Sequence, residues 1–307
     1  MNIMHLVFCL DNNYIMPYGV TMTSICENNL NYDIMFHVIT DNDFTIKNEK
    51  SLFKIANKYH HSLKIYKVDI TSMLNYPPFC NSIATYYRLL LADILPVGID
   101  KVLYLDGDLI VRTDLQELWV TDISEYSVGA IIENRETNNN QSNKYFSAGV
   151  MLINLQYWRS NNVGACTQNF INKFPEKCII VDQDALNAVL NGTIKWLPIK
   201  YNIMCYAYHR EPFIRINRMQ WIEIQRDRLN PAILHYNAPR KPWNYGSTMM
   251  YQEEFFKYLA LTEWREFKVE FELSIFFRNI LRSLAQSLNL FPKLIDFTNL
   301  PEHLQGR

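Results

Sequence analysis

The stretch Lys101-Val102-Leu103-Tyr104-Leu105-Asp106-Gly107-Asp108-Leu109-Ile110-Val111 decides how this chain is read. An apolar run of strand length delivers two carboxylates, one residue apart, at its end. Neither charge is tolerable unpaired inside a sheet, because burying an ionised carboxylate is too costly. At the C-terminal edge of a strand the pair instead faces the crevice where open α/β sheets bind ligands. Hard oxygen donors of this kind suit Mg²⁺ or Mn²⁺, with water or phosphate oxygens completing the shell. The expectation is a divalent cation holding a diphosphate.

An Asp pair at i and i+2 turns up by chance about once in a chain of this length. This chain has three: Asp41/Asp43, Asp106/Asp108 and Asp182/Asp184. The first is followed by polar residues and reads as a solvated turn. Asp182-Gln183-Asp184 opens a helical run, Ala185 to Leu190, so Asp182 reads as an N-cap. Only Asp106/Asp108 has apolar residues on both sides. Gly107 between them frees the backbone to turn sharply or to approach a ligand closely.

With 307 residues, 49% hydrophobic and 14% aromatic, the chain can build a sizeable core,. Its formal net charge of −1 gives no electrostatic case for nucleic acid as a partner. None of the six cysteines, Cys9, Cys26, Cys80, Cys166, Cys178 and Cys205, lies in a CxxC pair. They read as buried, reduced thiols of a cytosolic protein. The N-terminus lacks a basic n-region and reads as a first β-strand, not a signal peptide.

Strand signals lie at His5–Leu10, Met35–Ile39, Leu63–Val68, Val102–Leu105 and Val128–Ile132, with helical patterns near Tyr18–Asn28, Thr45–Tyr59 and Tyr86–Ile94. That alternation predicts a mixed α/β sheet, mostly parallel, with helices on its faces. No GxGxxG follows the first strand, so the Rossmann fingerprint is absent. The polar run Asn138–Asn143 reads as a surface loop. Phe146-Ser147-Ala148-Gly149 then leads into another apolar strand, and short strands follow at Ile194–Leu197 and Ala232–Leu234.

The character changes near Thr262. Leu273, Phe276, Phe277, Ile280, Leu281, Leu284, Leu288 and Phe291 recur at helical spacing, and Leu273 to Lys293 carries no acidic residue,. Three readings stay open: a helix packed on the main domain, a partner helix, or an interfacial helix lying on an anionic membrane. In the last case, deleting the tail is expected to release the protein from liposomes while sparing donor hydrolysis.

Asp11-Asn12-Asn13-Tyr14, Asp106-Gly107-Asp108, Phe146-Ser147-Ala148-Gly149, Asp182-Gln183-Asp184 and His235-Tyr236…Lys241-Pro242-Trp243 occur in this order. With them the sequence resembles glycosyltransferase family eight over about residues 3 to 260. Within that family it is most similar to the bacterial lipopolysaccharide and lipooligosaccharide α-glycosyltransferases. The resemblance implies a GT-A fold in residues 1–262, with 263–307 as a helical tail. It also implies transfer of a hexose, galactose or glucose, from UDP-sugar with retention of configuration, with Mn²⁺ or, as a substitute, Mg²⁺. The implied acceptor is a glycolipid or oligosaccharide, and the implied location the cytoplasm, at the inner face of the membrane.

Carried over residue by residue, Asp106, Asp108 and His235 match the metal ligands. Alone, His235 would read as a structural histidine. Cys9, Asp11, Asn13 and Tyr14 match the uridine pocket, with Asp11 as a cap in the plainer reading. Gly107, Ser147 and Ala148 fall in donor-binding motifs. Arg88 matches an arginine that reaches the donor sugar, against the plainer reading of a helix-surface charge. Lys241 matches the lysine that contacts the diphosphate, and Asp182 and Gln183 the pair beside the anomeric carbon. Two positions depart from the pattern. Ser147 stands where many relatives have Asn. Ala238 stands where Gly is common, which would be strained if φ there is positive. Donor and acceptor choice would depend on the pocket around Ser147, Glu133 and Asp182. The alternatives are the same chemistry on a capsular or protein acceptor, and an inactive nucleotide-sugar-binding protein.

Overall fold

A computed structural model describes residues 3–76, 82–133, 144–208, 218–247, 249–288 and 290. The Asn138–Asn143 run, Cys80, Phe291 and Lys293 lie outside the described residues. Among the described residues, ten strands form two sheets. They are β1 Met4–Cys9, β2 Ile34–Asp41, β3 Ser62–Val68, β4 Lys101–Leu105, β5 Leu109–Val111, β6 Val128–Ile132, β7 Phe146–Asn154, β8 Ile194–Trp196, β9 Ile203–Met204 and β10 Ile233–His235. The main sheet has seven strands in the order β3-β2-β1-β4-β7-β6-β8. Only β7 runs against its neighbours: it pairs antiparallel with β4 and β6, and the other pairings are parallel. This is the mixed, mostly parallel sheet that the alternation of signals predicts.

The central strands are apolar on both faces because helices cover both faces. Leu6, Phe8, Leu103 and Leu105 enter one apolar layer. Val7, Cys9, Val102 and Tyr104 enter the other. Two helices fill the connections between the first three strands: α1, Ile15–Asn28, and α2, Ile46–Lys58. The Thr45 hydroxyl caps α2 by accepting from the Asn48 N–H. The segment expected as one helix, Tyr86–Ile94, is a 3₁₀ turn over Ala84–Leu90 that relaxes into a short α-turn over Leu91–Ile94.

Of the second sheet, the strand expected at Ala232–Leu234 is present as β10, Ile233–His235, whereas its pairing with two other short strands is not legible. The sheet has three strands in the order β5-β10-β9, each too short to show a period. Its first strand is the continuation of the Asp-Gly-Asp stretch. Helix α1 holds it there: Thr21 Oγ1 donates to the Gly107 and Leu109 carbonyls at 3.0 and 2.7 Å, and Ser24 Oγ accepts from the Val111 N–H at 3.0 Å. These hydroxyls are buried on a helix whose other residues are mostly apolar, so their polarity has a use.

The five described cysteines are free. Cys9, Cys26 and Cys178 are buried as expected, but Cys205 is half-buried and Cys166 is exposed on the polar face of the Val163–Lys173 helix. No helix among the described residues is long and apolar enough to cross a membrane.

His37, on β2, sits between His5 Nδ1 at 2.9 Å and the Tyr66 hydroxyl at 3.0 Å. Burial, then the neighbouring His5 and Lys64, push its pKa down to about 4. Between that value and the ordinary ~6.5, the unfolded chain takes up a proton that the folded chain refuses, so stability falls as pH falls through this window. The full effect is ~3 kcal/mol. Urea unfolding at pH 7 and pH 4.5 should therefore show a larger acid loss in wild type than in His37→Gln. Equal losses would exclude His37 as the source.

Candidate active site

The site forms where the Asp-Gly-Asp segment leaves one sheet and joins the other. At the end of β4 the antiparallel register places Leu105 opposite Val150, and the Asp106 N–H then donates to the Gly149 carbonyl at 2.9 Å. Two residues on, β5 pairs with β10, with Leu109 opposite His235, and the Tyr236 N–H donates to the Asp108 carbonyl at 2.9 Å. Backbone pairing alone thus brings His235 to the two aspartates from far along the chain. Ligand atoms of Asp106, Asp108 and His235 all lie within 4.8 Å of one another. His235 Nε2 is 3.3 Å from Asp108 Oδ1 and 3.9 Å from Asp106 Oδ2.

Two further features fit this trio to a cation. His235 Nδ1 lies 2.9 Å from Asn202 Oδ1. An amide oxygen accepts, so it places the ring proton on Nδ1 and leaves the Nε2 lone pair facing the carboxylates. Gly149 forms the wall behind them. A Cβ there would lie 2.4 Å from His235 Cε1 and 2.9 Å from Asp106 Oδ2, so any side chain would fill the space between the ligands. Two carboxylates and one neutral imidazole make a donor set for a divalent metal of the first transition row or Mg²⁺.

Lys241 and Arg88 balance the charge. Lys241 Nζ is 2.5 Å from Asp108 Oδ2 and donates to the Tyr236 carbonyl at 2.8 Å, so it is not a solvated loop lysine. Burial alone would raise the Asp108 pKa, but the Lys241 ammonium beside it outweighs that and holds the carboxyl below its ordinary range. Arg88 is buried, not a helix-surface charge. Its Nη2 is 3.3 Å from Asp106 Oδ1, which also accepts from the Tyr104 hydroxyl at 2.7 Å. Its Nε lies 3.0 Å from Asp182 Oδ2, a charge contact without hydrogen-bond alignment. Thr85 Oγ1 accepts from Arg88 Nη2 at 2.8 Å and donates to Asp182 Oδ1 at 2.6 Å.

Asp182 is not the N-cap of its helix. It lies inside the first turn of Val181–Val189, where Ile180 is the cap residue and Asp184 Oδ2 accepts from the Ile180 N–H. Val181 has φ +35°, a left-handed backbone that β-branched residues rarely adopt. That strained residue turns the next two side chains inward. Asp182 meets Arg88. Gln183 Oε1 accepts from the Ala148 N–H at 2.8 Å, and its Nε2 donates to Glu133 Oε2 at 3.0 Å and to the Tyr145 hydroxyl at 3.1 Å.

The remaining positions are placed as follows. Ser147 and Ala148 are buried in β7. The Ala148 backbone is spoken for on both sides, by Gln183 and by Arg88 Nη1 at 2.7 Å. Gly107 does not have positive φ. It is a glycine because a Cβ would lie 2.4 Å from the Tyr18 ring, a packing reason and not a turn. Ala238 also lacks positive φ, so the missing glycine there carries no strain. Asp11 does cap, accepting from the Asn13 N–H at 2.9 Å, while its other oxygen accepts from Ser82 Oγ at 2.7 Å. Asn13 is exposed. Tyr14 is half-buried, its ring meeting Trp243 edge-on with the ring centres 5.8 Å apart. Cys9 is buried, burial pushes its thiol up, and its carbonyl accepts from the Tyr18 hydroxyl. Asp41 forms the expected turn through the Asp43 N–H, and also accepts from the Tyr87 hydroxyl.

A model of glycosyl transferase family 8 matches residues 5–247. The chain belongs to glycosyl transferase family 8. General stress protein A of Bacillus subtilis (strain 168) is 32% identical over 276 residues, 85% of this chain and 95% of that protein. Lipopolysaccharide 1,2-glucosyltransferase of Escherichia coli is 28% identical over 83% of this chain and 78% of that protein. Among solved structures, an active-site mutant of LgtC superposes with a TM-score of 0.74 at 27% identity, covering 85% of this chain and 96% of that one. The galactosyltransferase LgtC in complex with donor and acceptor sugar analogues superposes with a TM-score of 0.72 at 25% identity. This family 8 glycosyltransferase has a GT-A fold, as the resemblance implied.

Sequence reasoning missed Asn202, Tyr104 and the role of Gly149. Gly149 lies in a quoted motif, but its need appears only when His235 is beside it. Asn202 carries no sequence signal. An orienting partner of this kind typically changes metal affinity ~10–100-fold. Calorimetric titration with Mn²⁺ should show a loss of that size in Asn202→Ala, and a comparable one in Gly149→Ala. Wild-type affinity in both variants would mean that the cation does not bind at this trio.

Proposed function

We propose that this family 8 glycosyltransferase moves glucose or galactose from a UDP-sugar to a glycan, the core of a lipopolysaccharide or lipooligosaccharide, with retention and with Mn²⁺. The observation that carries this is the convergence of Asp106, Asp108 and His235 beside Lys241 at the C-terminal edge of the sheet. Relatives that are lipopolysaccharide 1,2-glucosyltransferases and 1,3-galactosyltransferases, and the sugar analogues bound to LgtC, support the donor and acceptor classes.

Asp106, Asp108 and His235 hold the cation, which when bound supplies Lewis-acid neutralisation of the leaving diphosphate. Mn²⁺ is preferred to Mg²⁺ because one ligand is imidazole. Asp11 and Asn13 read the uracil edge and Tyr14 offers its ring face. Lys241 moves its ammonium from Asp108 to a phosphate oxygen and offsets the charge that grows there as the glycosidic bond breaks. Arg88 and Asp182 fix the floor under the sugar. Gln183 lies nearest the anomeric carbon. Its oxygen already accepts from Ala148, and an amide is a poor nucleophile, so the acceptor hydroxyl attacks from the same face as the departing phosphate. A phosphate oxygen takes the acceptor's proton, and no side-chain base is required.

The Leu273–Ser287 helix favours the interfacial reading over a coiled partner. Its one buried residue is Ile275. Leu273, Phe276, Phe277, Ile280, Leu281, Leu284 and Leu288 are all exposed, and they form one face next to Arg278. An apolar face with Arg278 beside it and no acid within the helix suits an anionic bilayer,, which supports a position for the enzyme at the inner surface of the cytoplasmic membrane.

Asp108→Ala should abolish Mn²⁺-dependent turnover of UDP-glucose or UDP-galactose. Turnover near the wild-type rate would remove Asp108 as a ligand. Losing one well-placed charge on the leaving group costs about 10²–10³ in kcat, so Lys241→Ala should fall by that factor in a transfer assay. Leu281→Asp with Leu284→Asp should no longer sediment with phosphatidylglycerol vesicles; continued sedimentation would place the membrane contact elsewhere.

A further inference from the structure

Lys241 reaches Asp108 from a turn, and the structure shows what steadies that turn. The Asn244 side chain accepts from the Lys241 N–H at 2.8 Å, and the Asn244 N–H donates to the Lys241 carbonyl at 3.0 Å. On the inner side, Trp243 packs on Phe255 at a ring distance of 4.9 Å. Among the described residues, the contacts of Arg240, Tyr245 and Gly246 lead to the tail. The Tyr245 ring meets Phe271 edge-on at 4.8 Å. Arg240 donates to the Tyr245 carbonyl and lies 3.6 Å from Glu272. Gly246 closes the turn at φ +66°, and a Cβ there would be 2.7 Å from Ile275 Cγ2 and 2.5 Å from Asn279 Nδ2.

Ile275 is therefore buried against the very turn that carries Lys241. The face it leads, with Asn279 and Arg282 half-buried behind it, is the polar side of the helix. The tail docks by that side and turns its apolar residues outward. With the tail docked on this turn, its deletion is expected to disturb donor hydrolysis as well as any membrane contact.

We propose that the Leu273–Ser287 helix is a positioning element for Lys241, bracing the 239–246 turn through Ile275, Phe271 and Glu272. The proposal rests on the reading of Lys241 as the group facing the leaving diphosphate. A lysine that acts only as charge develops affects kcat, whereas the donor's uracil and sugar contacts lie elsewhere and set KM. A loosened turn lets the ammonium drift, and misplacement of a reacting group by about 1 Å costs up to ~10²-fold.

The test uses the full chain and steady-state transfer from the UDP-sugar. Ile275→Ala and Gly246→Ala should each lower kcat roughly ten- to a hundredfold, with the donor KM within about twofold of wild type. Ile275→Leu should restore most of the rate. In a Lys241→Ala background, Ile275→Ala should add nothing, because the positioned group is gone. The brace is overturned if Lys241→Ala is slow while Ile275→Ala and Gly246→Ala keep the wild-type kcat. It is also overturned if the losses multiply in the double variant, which marks damage that does not act through Lys241. A wild-type kcat in Lys241→Ala itself would instead remove the reading of Lys241, and the brace with it. Circular-dichroism melting of each variant separates loss of the fold from loss of the brace.

Discussion

Everything at this site depends on one strand changing sheets within three residues. Up to Leu105 the chain is registered against β7; from Leu109 it is registered against β10. Asp106, Gly107 and Asp108 are the crossing. Because side chains alternate along a strand, a slip of one residue in either pairing would turn one ligand to the opposite face. The two registers are fixed by different means. The main sheet is held by apolar layers on both faces, while the short β5 is pinned by the Thr21 and Ser24 hydroxyls of α1. A strand of three residues has little pairing energy of its own, which is why a helix otherwise packed with apolar groups spends buried hydroxyls on it.

The crossing also gathers charge, and the surroundings are built to tolerate it. Asp106 is met by Arg88 and Tyr104, Asp108 by Lys241 and His235, and Arg88 in turn by Asp182. Burial pushes the Asp182 carboxyl up, against the pull of Arg88. Such a network adds little net stability, but removing one member strands its partner in a buried place. Its value is geometric. Arg88 also takes the Ala148 carbonyl, and Gln183 takes the Ala148 N–H, so the buried β7 backbone couples the arginine to the glutamine. The left-handed backbone of Val181 is a local cost of presenting Asp182 and Gln183 together.

What the sequence discloses follows from distance along the chain. Asp106 and Asp108 are legible because a strand and its end are local features. His235 is not legible alone: the short strand leading into it has a local signal, but its partners are set by the β5–β10 register, which no local pattern shows. It entered only through the resemblance carried by His235-Tyr236 and Lys241-Pro242-Trp243. Asn202 and Tyr104 lie beyond even that, since nothing in the residues around them marks a contact with His235 or Asp106. Glycines show the same limit from another side. Gly107, Gly149 and Gly246 are needed for space, against Tyr18, His235 and Ile275 respectively, and the element that claims the space is always distant in sequence.

The tail makes the point about faces. Periodicity identifies an amphipathic helix from Leu273 onward but does not say which face turns inward. The usual assumption buries the apolar stripe. Here the helix seats Ile275 beside half-buried Asn279 and Arg282 and leaves seven large apolar side chains in the open, from Leu273 to Leu288. Contiguous apolar surface of that kind is unfavourable in water and marks a contact with another phase or molecule. Both sides of the helix then have a purpose. The side toward the protein contributes Ile275 to the contact with Gly246, and the apolar side away from it is the one proposed to meet a membrane.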